Sequence, residues 1–142
     1  MLTRIDHVGQ AVRDLDAAIA LHERLGMRLA HREVNVEQGV EEAMMAVGDS
    51  GSHVQLLAPL SDDSPVGRFL ARHGEGVQQV AYGTDDVAAE SARLREQGMT
   101  LLYDEPRTGT AGSKVNFIHP RSTGGVLVEL VEAAPSDDEG SP

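Results

Sequence analysis

The chain contains no cysteine and no tryptophan, and only two phenylalanines and two tyrosines in 142 residues. The missing thiols exclude disulfide staples, zinc fingers, iron–sulfur clusters and cysteine nucleophiles, so metal or acid–base chemistry must rest on nitrogen and oxygen groups. So few aromatic rings offer no platform for stacking nucleic-acid bases. A formal net charge of −11 points the same way, because a duplex rewards clustered Lys and Arg. No stretch approaches the roughly 18 apolar residues that span a membrane. The N-terminus lacks the basic start and unbroken apolar run of a secretion signal. These absences lead us to expect a cytoplasmic protein with neither nucleic-acid nor membrane partners.

What the sequence does contain is a repeat. Residues 5–30 and 77–102 align without a gap when Ile5 is laid on Val77, which matches Val8 with Val80, Asp14 with Asp86, Gly26 with Gly98 and Met27 with Met99. A unit of about 70 residues is marginal alone, so the halves are expected to share an interface, with a site lying between them. Each half reads as a strand, a helix and further strands. Residues 5–12, 27–36, 39–47 and 53–58 are extended in the first half, with a helix capped by Asp14 or Asp16 and ended by Gly26. In the second half the strands are 77–82, 99–103, 115–119 and 126–131, with 104–113 a loop. The helix there is capped by Thr84 or Asp85, turns Val87, Ser91 and Leu94 inward, and stops at Gly98. Ser64-Pro65 starts a helix near residues 65–73 that bridges repeats at about 2–60 and 75–131. The result is one domain over residues 1–131, of class α+β with curved antiparallel sheets, followed by an acidic tail, residues 132–142, expected to be disordered.

The same register sets His7 opposite Gln79, and the later stretches 53–57 and 127–131, which correspond in the same way, set Gln55 opposite Glu129. Each sits in a strand where Val or Ile would be ordinary, and strand alternation puts His7 on the inward face with Ile5. Burying an unanswered carboxylate at Glu129 is costly or forces its pKa upward, so a cation is expected nearby. Imidazole, carboxamide oxygen and carboxylate suit Mn, Co, Ni, Zn or Mg. The strand at residues 39–47 carries Glu41 and Glu42 on opposite faces, and alternation alone leaves open which of them looks inward.

The strings at residues 2–7 (LTRIDH), 34–44 (VNVEQGVEEAM), 103–106 (YDEP), 117–120 (FIHP) and 125–130 (GVLVEL) together resemble the methylmalonyl-CoA epimerase family of the vicinal oxygen chelate superfamily. The resemblance implies two paired βαβββ modules that form curved mixed or antiparallel sheets around a central cleft, a homodimer, and a divalent metal ion. It places the metal ligands at His7, Gln55, Gln79 and Glu129, and makes Glu42 and Glu129 the catalytic pair. The activity implied is epimerisation of methylmalonyl-CoA, or a similar 2-alkylmalonyl-CoA thioester, through an enolate. One departure stands out: the family carries His-His where this chain has Gln78-Gln79. An amide oxygen must then replace imidazole as a ligand, which shifts preference toward harder ions. With the His pair gone, His7 also stands to lose the helper that fixes its tautomer. The alternative reading is a relative that kept the fold, lost the full chelate, and binds a small metabolite or isomerises or cyclises another substrate without metal.

Overall fold

The computed structural model describes residues 1–135 and traces one chain path twice. The first copy is β1 (Leu2–Ala11), α1 (Leu15–Arg24), β2 (Arg28–Asn35), β3 (Val40–Ala46) and β4 (His53–Pro59). The bridging helix α2 (Pro65–His73) follows. The second copy is β5 (Gly76–Thr84), α3 (Val87–Glu96), β6 (Arg107–Thr108), β7 (Lys114–Ile118) and β8 (Leu127–Glu132). Asp14 and Asp86 cap α1 and α3, each carboxylate accepting the backbone N–H three residues on at 3.0 Å. Asp86 takes that place rather than Thr84 or Asp85, in keeping with its alignment to Asp14. Gly26 and Gly98 follow the two helices at φ +103° and +87°, left-handed values that a side chain would resist. Ser64 caps α2 by accepting Gly67 N–H at 3.1 Å, and Pro65 is its first residue.

The strands form one sheet in the order β2-β3-β4-β1-β5-β8-β7-β6. Within each copy the meander returns its last strand alongside its first in the same direction, so β1 pairs β4 and β5 pairs β8 in parallel. The sheet is therefore mixed rather than antiparallel. The halves join along an antiparallel β1–β5 seam. Alternation then divides the side chains. Ala43, Met45, Leu56 and Ala58 pack beneath α1 with Val12, Leu15 and Ile19, while Ile118, Val128 and Leu130 pack beneath α3 with Val87 and Leu94. The opposite face carries Glu42, Gln55, Gln79 and Glu129, all buried. Helix α2 closes one end of that face by setting Val66 and Leu70 on Ala11, Val40 and Leu57. No helix among the described residues is long and apolar enough to cross a membrane.

Two further expectations change. Residues 99–103 do not form a strand. Only Leu101 bridges to Ile118, and the second-half counterpart of β2 shrinks to Arg107–Thr108. The cause is Asn116, fully buried in β7. Its Oδ1 accepts Tyr103 N–H at 3.1 Å, and its Nδ2 donates to Tyr103 O at 3.0 Å and to Ser91 Oγ at 3.2 Å. A side chain takes the place of a strand ladder. The tail also starts later than expected: Glu132 belongs to β8, where its carboxylate accepts Val87 N–H at 3.0 Å. The remainder of the tail from residue 136 lies outside the described residues.

Asn116→Leu keeps the branched shape but leaves Tyr103 N–H without a partner and its C=O with only the Arg95 guanidinium. We expect a loss of about 2–4 kcal/mol in urea unfolding. A loss below about 0.5 kcal/mol, the level of a neutral surface change, would show that the side chain does not hold this segment.

Candidate active site

The seam between β1 and β5 has three irregularities, and the two nearest its centre serve the site. Ile5 pairs with Tyr82 and His7 with Ala81, which leaves Asp6 as an extra residue in β1. Gly9 pairs with Gln79 and Gln10 with Val77, which leaves Gln78 extra in β5. Such bulges break strand alternation and re-aim neighbouring side chains. Ile5 is consequently 56 % exposed, whereas His7 is 3 % exposed, so the two do not share the face that simple alternation assigned them. The bulge at Asp6 also lets its Oδ2 meet His7 Nδ1 at 2.8 Å. Asp6 therefore fixes the His7 tautomer, and no second imidazole is needed for that task. Sequence reasoning missed this role, although the adjacent Asp-His pair was visible, because alternation assigns neighbours to opposite faces.

The repeat's symmetry holds at the side chains. His7 faces Ala81 across the seam and Gln79 faces Gly9, while Gly9 pairs with Gln55 and Ala81 with Glu129. Gly9 has to be small: a Cβ there would stand 2.4 Å from Gln79 Cγ. All four sequence-identified ligand candidates meet in the same place. His7 Nε2 lies 2.9 Å from Glu129 Oε1, and Gln79 Nε2 donates to Glu129 Oε1 at 3.2 Å and to Gln55 Oε1 at 3.1 Å. Gln55 Nε2 then donates to Glu42 Oε2 at 2.9 Å. Glu42 is the inward member of its pair, 3 % exposed, while Glu41 turns to Arg32 Nε at 3.2 Å.

Thr110 completes the network, donating its hydroxyl to Glu42 Oε1 and accepting Gln55 Nε2 at 3.1 Å. It comes from the loop before β7, where no periodicity marks a functional residue. That loop is latched to the first half by Ala111 N–H, which donates to Glu33 Oε1 at 2.6 Å, with Ala111 itself left-handed at φ 54°. The other histidines stay out: His22 contacts Ala18 O in α1, and His31 pairs with Glu33. A cavity of about 120 Å³ opens over the network, bounded by Leu57, Phe117, Leu127 and Tyr103.

The donor set fits a divalent ion. His7 Nε2 is buried without a well-directed hydrogen bond, even though Glu129 Oε1 is close, so it would be free to coordinate an ion that displaces its proton. One imidazole nitrogen, two carboxamide groups and one carboxylate suit an oxygen-preferring ion, provided Gln79 presents its oxygen inward. Electrostatics supply the acid–base range. Burial alone would lower the His7 imidazole, but hydrogen bonds to Asp6 and Glu129 outweigh it and lift the group from 6.5 to about 9. Burial raises the Glu42 carboxyl above its ordinary value, and Glu33 and Glu129 add to this against the Thr110 hydrogen bond and the His7 charge.

The Glu42 shift has a sign that can be tested. A carboxyl whose folded pKa exceeds its unfolded value of 4.5 imposes no penalty below that value. The penalty appears as pH rises through the folded pKa and is complete above it. Glu42→Gln is therefore expected to raise the melting temperature more at pH 8 than at pH 4, as read by calorimetric scans. A gain no larger at pH 8 would contradict the raised pKa.

Known proteins share this fold and much of this sequence. A sequence profile of the Glyoxalase/Bleomycin resistance protein/Dioxygenase superfamily matches residues 6–117. The ethylmalonyl-CoA/methylmalonyl-CoA epimerase of Cereibacter sphaeroides is 34 % identical over 133 residues, covering 92 % of this chain and 98 % of that protein. The crystal structure of methylmalonyl-CoA epimerase from Mycobacterium tuberculosis superposes at TM-score 0.92 with 51 % identity, covering 94 % of this chain and 90 % of that one. A variant of the Streptomyces coelicolor methylmalonyl-CoA epimerase in complex with 2-nitronate-propionyl-CoA also superposes at 0.92, with 48 % identity over 95 % of this chain and 100 % of that one. With its paired units, its seam-centred cleft and these relatives along nearly its whole length, the chain belongs to the methylmalonyl-CoA epimerase family of the glyoxalase superfamily.

Proposed function

We propose that this protein is an isomerase that epimerises methylmalonyl-CoA or a similar 2-alkylmalonyl-CoA thioester. One observation carries the reading. Two buried carboxylates, Glu42 from the first half and Glu129 from the second, are held across one cleft with the carboxamides of Gln55 and Gln79 between them. Inversion at a carbon needs a proton taken from one face and another delivered to the opposite face. The C2–H bond breaks, its electrons move into the thioester to give an enolate, and a carboxyl on the far side returns a proton to C2. Glu42 and Glu129 are the two proton carriers. Burial keeps Glu42 closer to half-protonation than a surface carboxylate would be, which suits a group that both takes and gives a proton. Thr110 and Gln55 fix its orientation, and Asp6 orients His7. His7, Gln55, Gln79 and Glu129 are the residues that would hold a divalent ion. When bound, such an ion supplies a Lewis acid that steadies negative charge on oxygen.

A second reading has its own support. Gln79 Nε2 answers both Gln55 Oε1 and Glu129 Oε1, closing the network with an N–H donor. In that form the protein has lost the full chelate and binds a small metabolite, or isomerises or cyclises another substrate without metal.

Incubating the pure protein with methylmalonyl-CoA in deuterated water, with and without Co, Mn, Ni, Zn or Mg, tests both. We expect deuterium at C2, and at least about a 100-fold loss of exchange in Glu42→Gln. Absence of exchange under every condition would end the epimerase reading. Tight stoichiometric metal in the wild type would end the second one, whereas metal bound only by Gln79→His would favour it.

The proposal extends to a homodimer. Leu2, Ile5 and Val77 on the seam strands are 45 %, 56 % and 59 % exposed, an apolar surface suited to a second copy. Light scattering at micromolar protein is expected to give twice the chain mass of 15.2 kDa. A single-chain mass would overturn the dimer.

A further inference from the structure

We propose that Arg4 is a positioning residue for the reaction site: its guanidinium, seated on the bare backbone of Gly83, holds Asp6 in the orientation from which Asp6 holds His7. This assignment rests on the epimerase reading above and adds the group that stands behind its histidine.

The outermost irregularity of the β1–β5 seam places this side chain. Leu2 pairs with Thr84 and Arg4 with Gly83, which leaves Thr3 as an extra residue in β1. Thr3 Oγ1 donates to Gly83 O at 3.1 Å and so ties the bulge to the residue opposite Arg4. Arg4 and Asp6 stand two apart along the strand and share a face, and the bulge at Asp6 brings His7 to the same group. Arg4 Nη2 donates to Asp6 Oδ1 at 2.8 Å, Asp6 Oδ2 meets His7 Nδ1 at 2.8 Å, and His7 Nε2 lies 2.9 Å from Glu129 Oε1. Each Asp6 oxygen therefore has its own partner, and a rotation of the carboxylate that breaks one bond breaks both.

An ion pair near the surface does little when its side chains are free to move. Arg4 is 48 % exposed, yet it is not free. Gly83 is buried, and a Cβ there would stand 2.9 Å from Arg4 Cζ and Nη1 and 3.1 Å from Cγ. The arginine therefore lies along the backbone of β5 from its stem to its head, and only glycine leaves room for it there. A side chain already confined in this way loses less freedom when it bonds a carboxylate.

The surroundings show why Asp6 needs a second hold. Asp6 and His7 border a second cavity of about 320 Å³ together with His31 and His53. His53 stands opposite His7 in the β1–β4 register. A carboxylate bonded to His7 alone would be free to turn toward another imidazole or toward solvent in that space. Arg4 occupies the oxygen that would do so, and the planar guanidinium fixes the direction of the bond.

The test uses the full chain and reads the site with and without substrate. The Nδ1 proton of His7, buried and bonded to Asp6, is expected as a slowly exchanging downfield resonance in the proton NMR spectrum, assigned by its loss in Asp6→Ala. Arg4→Met is expected to speed the exchange of that proton with water by at least about tenfold and to lower kcat for methylmalonyl-CoA by about tenfold, the scale of losing a group that orients a ligand, with KM within about twofold. Arg4→Lys, which keeps a cationic donor, should recover most of both. Gly83→Ala displaces the guanidinium without removing it and should reproduce Arg4→Met, and the double variant should be no worse than either single one. A His7 resonance and a kcat unmoved in Arg4→Met would overturn the assignment, even if the melting temperature falls. So would losses in Arg4→Met and Gly83→Ala that add in full. If no thioester exchanges deuterium yet the His7 proton still responds to both variants, the epimerase reading fails and the positioning role stands.

Discussion

Antiparallel pairing of β1 with β5 is the constraint on which the site depends. It sets His7 against Ala81 and Gly9 against Gln79, and the outer pairings then bring Gln55 beside Gly9 and Glu129 beside Ala81. Four polar groups from four strands reach one point because small residues lie between them. The approach is tight enough that a single Cβ at Gly9 would collide with Gln79. Neither half holds the set by itself, so the site exists only when the seam is formed.

Such a cluster is costly to bury unless each member answers another. The order Asp6, His7, Glu129, Gln79, Gln55, Glu42 and Thr110 leaves few groups without a partner, and it alternates anionic and donating groups. The result is an environment in which one imidazole is held charged and one carboxyl is pushed toward its neutral form. The helix-covered face is ordinary by comparison, with aliphatic side chains packed under α1 and α3. Stability and chemistry are thus divided between the two faces of one sheet.

Much of this was legible in advance. The repeat located His7 with Gln79, and Gln55 with Glu129, as two related pairs, and helix caps and glycine stops marked the elements. Where the reading failed, local rules had been overridden. Alternation misplaced Ile5 and hid Asp6, because a bulge is a property of two strands in register and has no signature in one of them. The strand expected at residues 99–103 was displaced by the Asn116 side chain, which satisfies the backbone of Tyr103 from a distant strand. Thr110 lies in a loop whose path is set by a hydrogen bond to Glu33, 78 positions away.

The amino-acid order by itself determined the duplicated α+β architecture, the helix limits and the set of polar strand residues, because these follow from periodicity, capping and repetition along the chain. Tertiary structure alone decided which carboxylate of the Glu41-Glu42 pair enters the cleft, which group orients His7, and how Gln78 and Gln79 come to border the same cavity. Those outcomes depend on strand register and bulges, and register is fixed only when two separated segments meet.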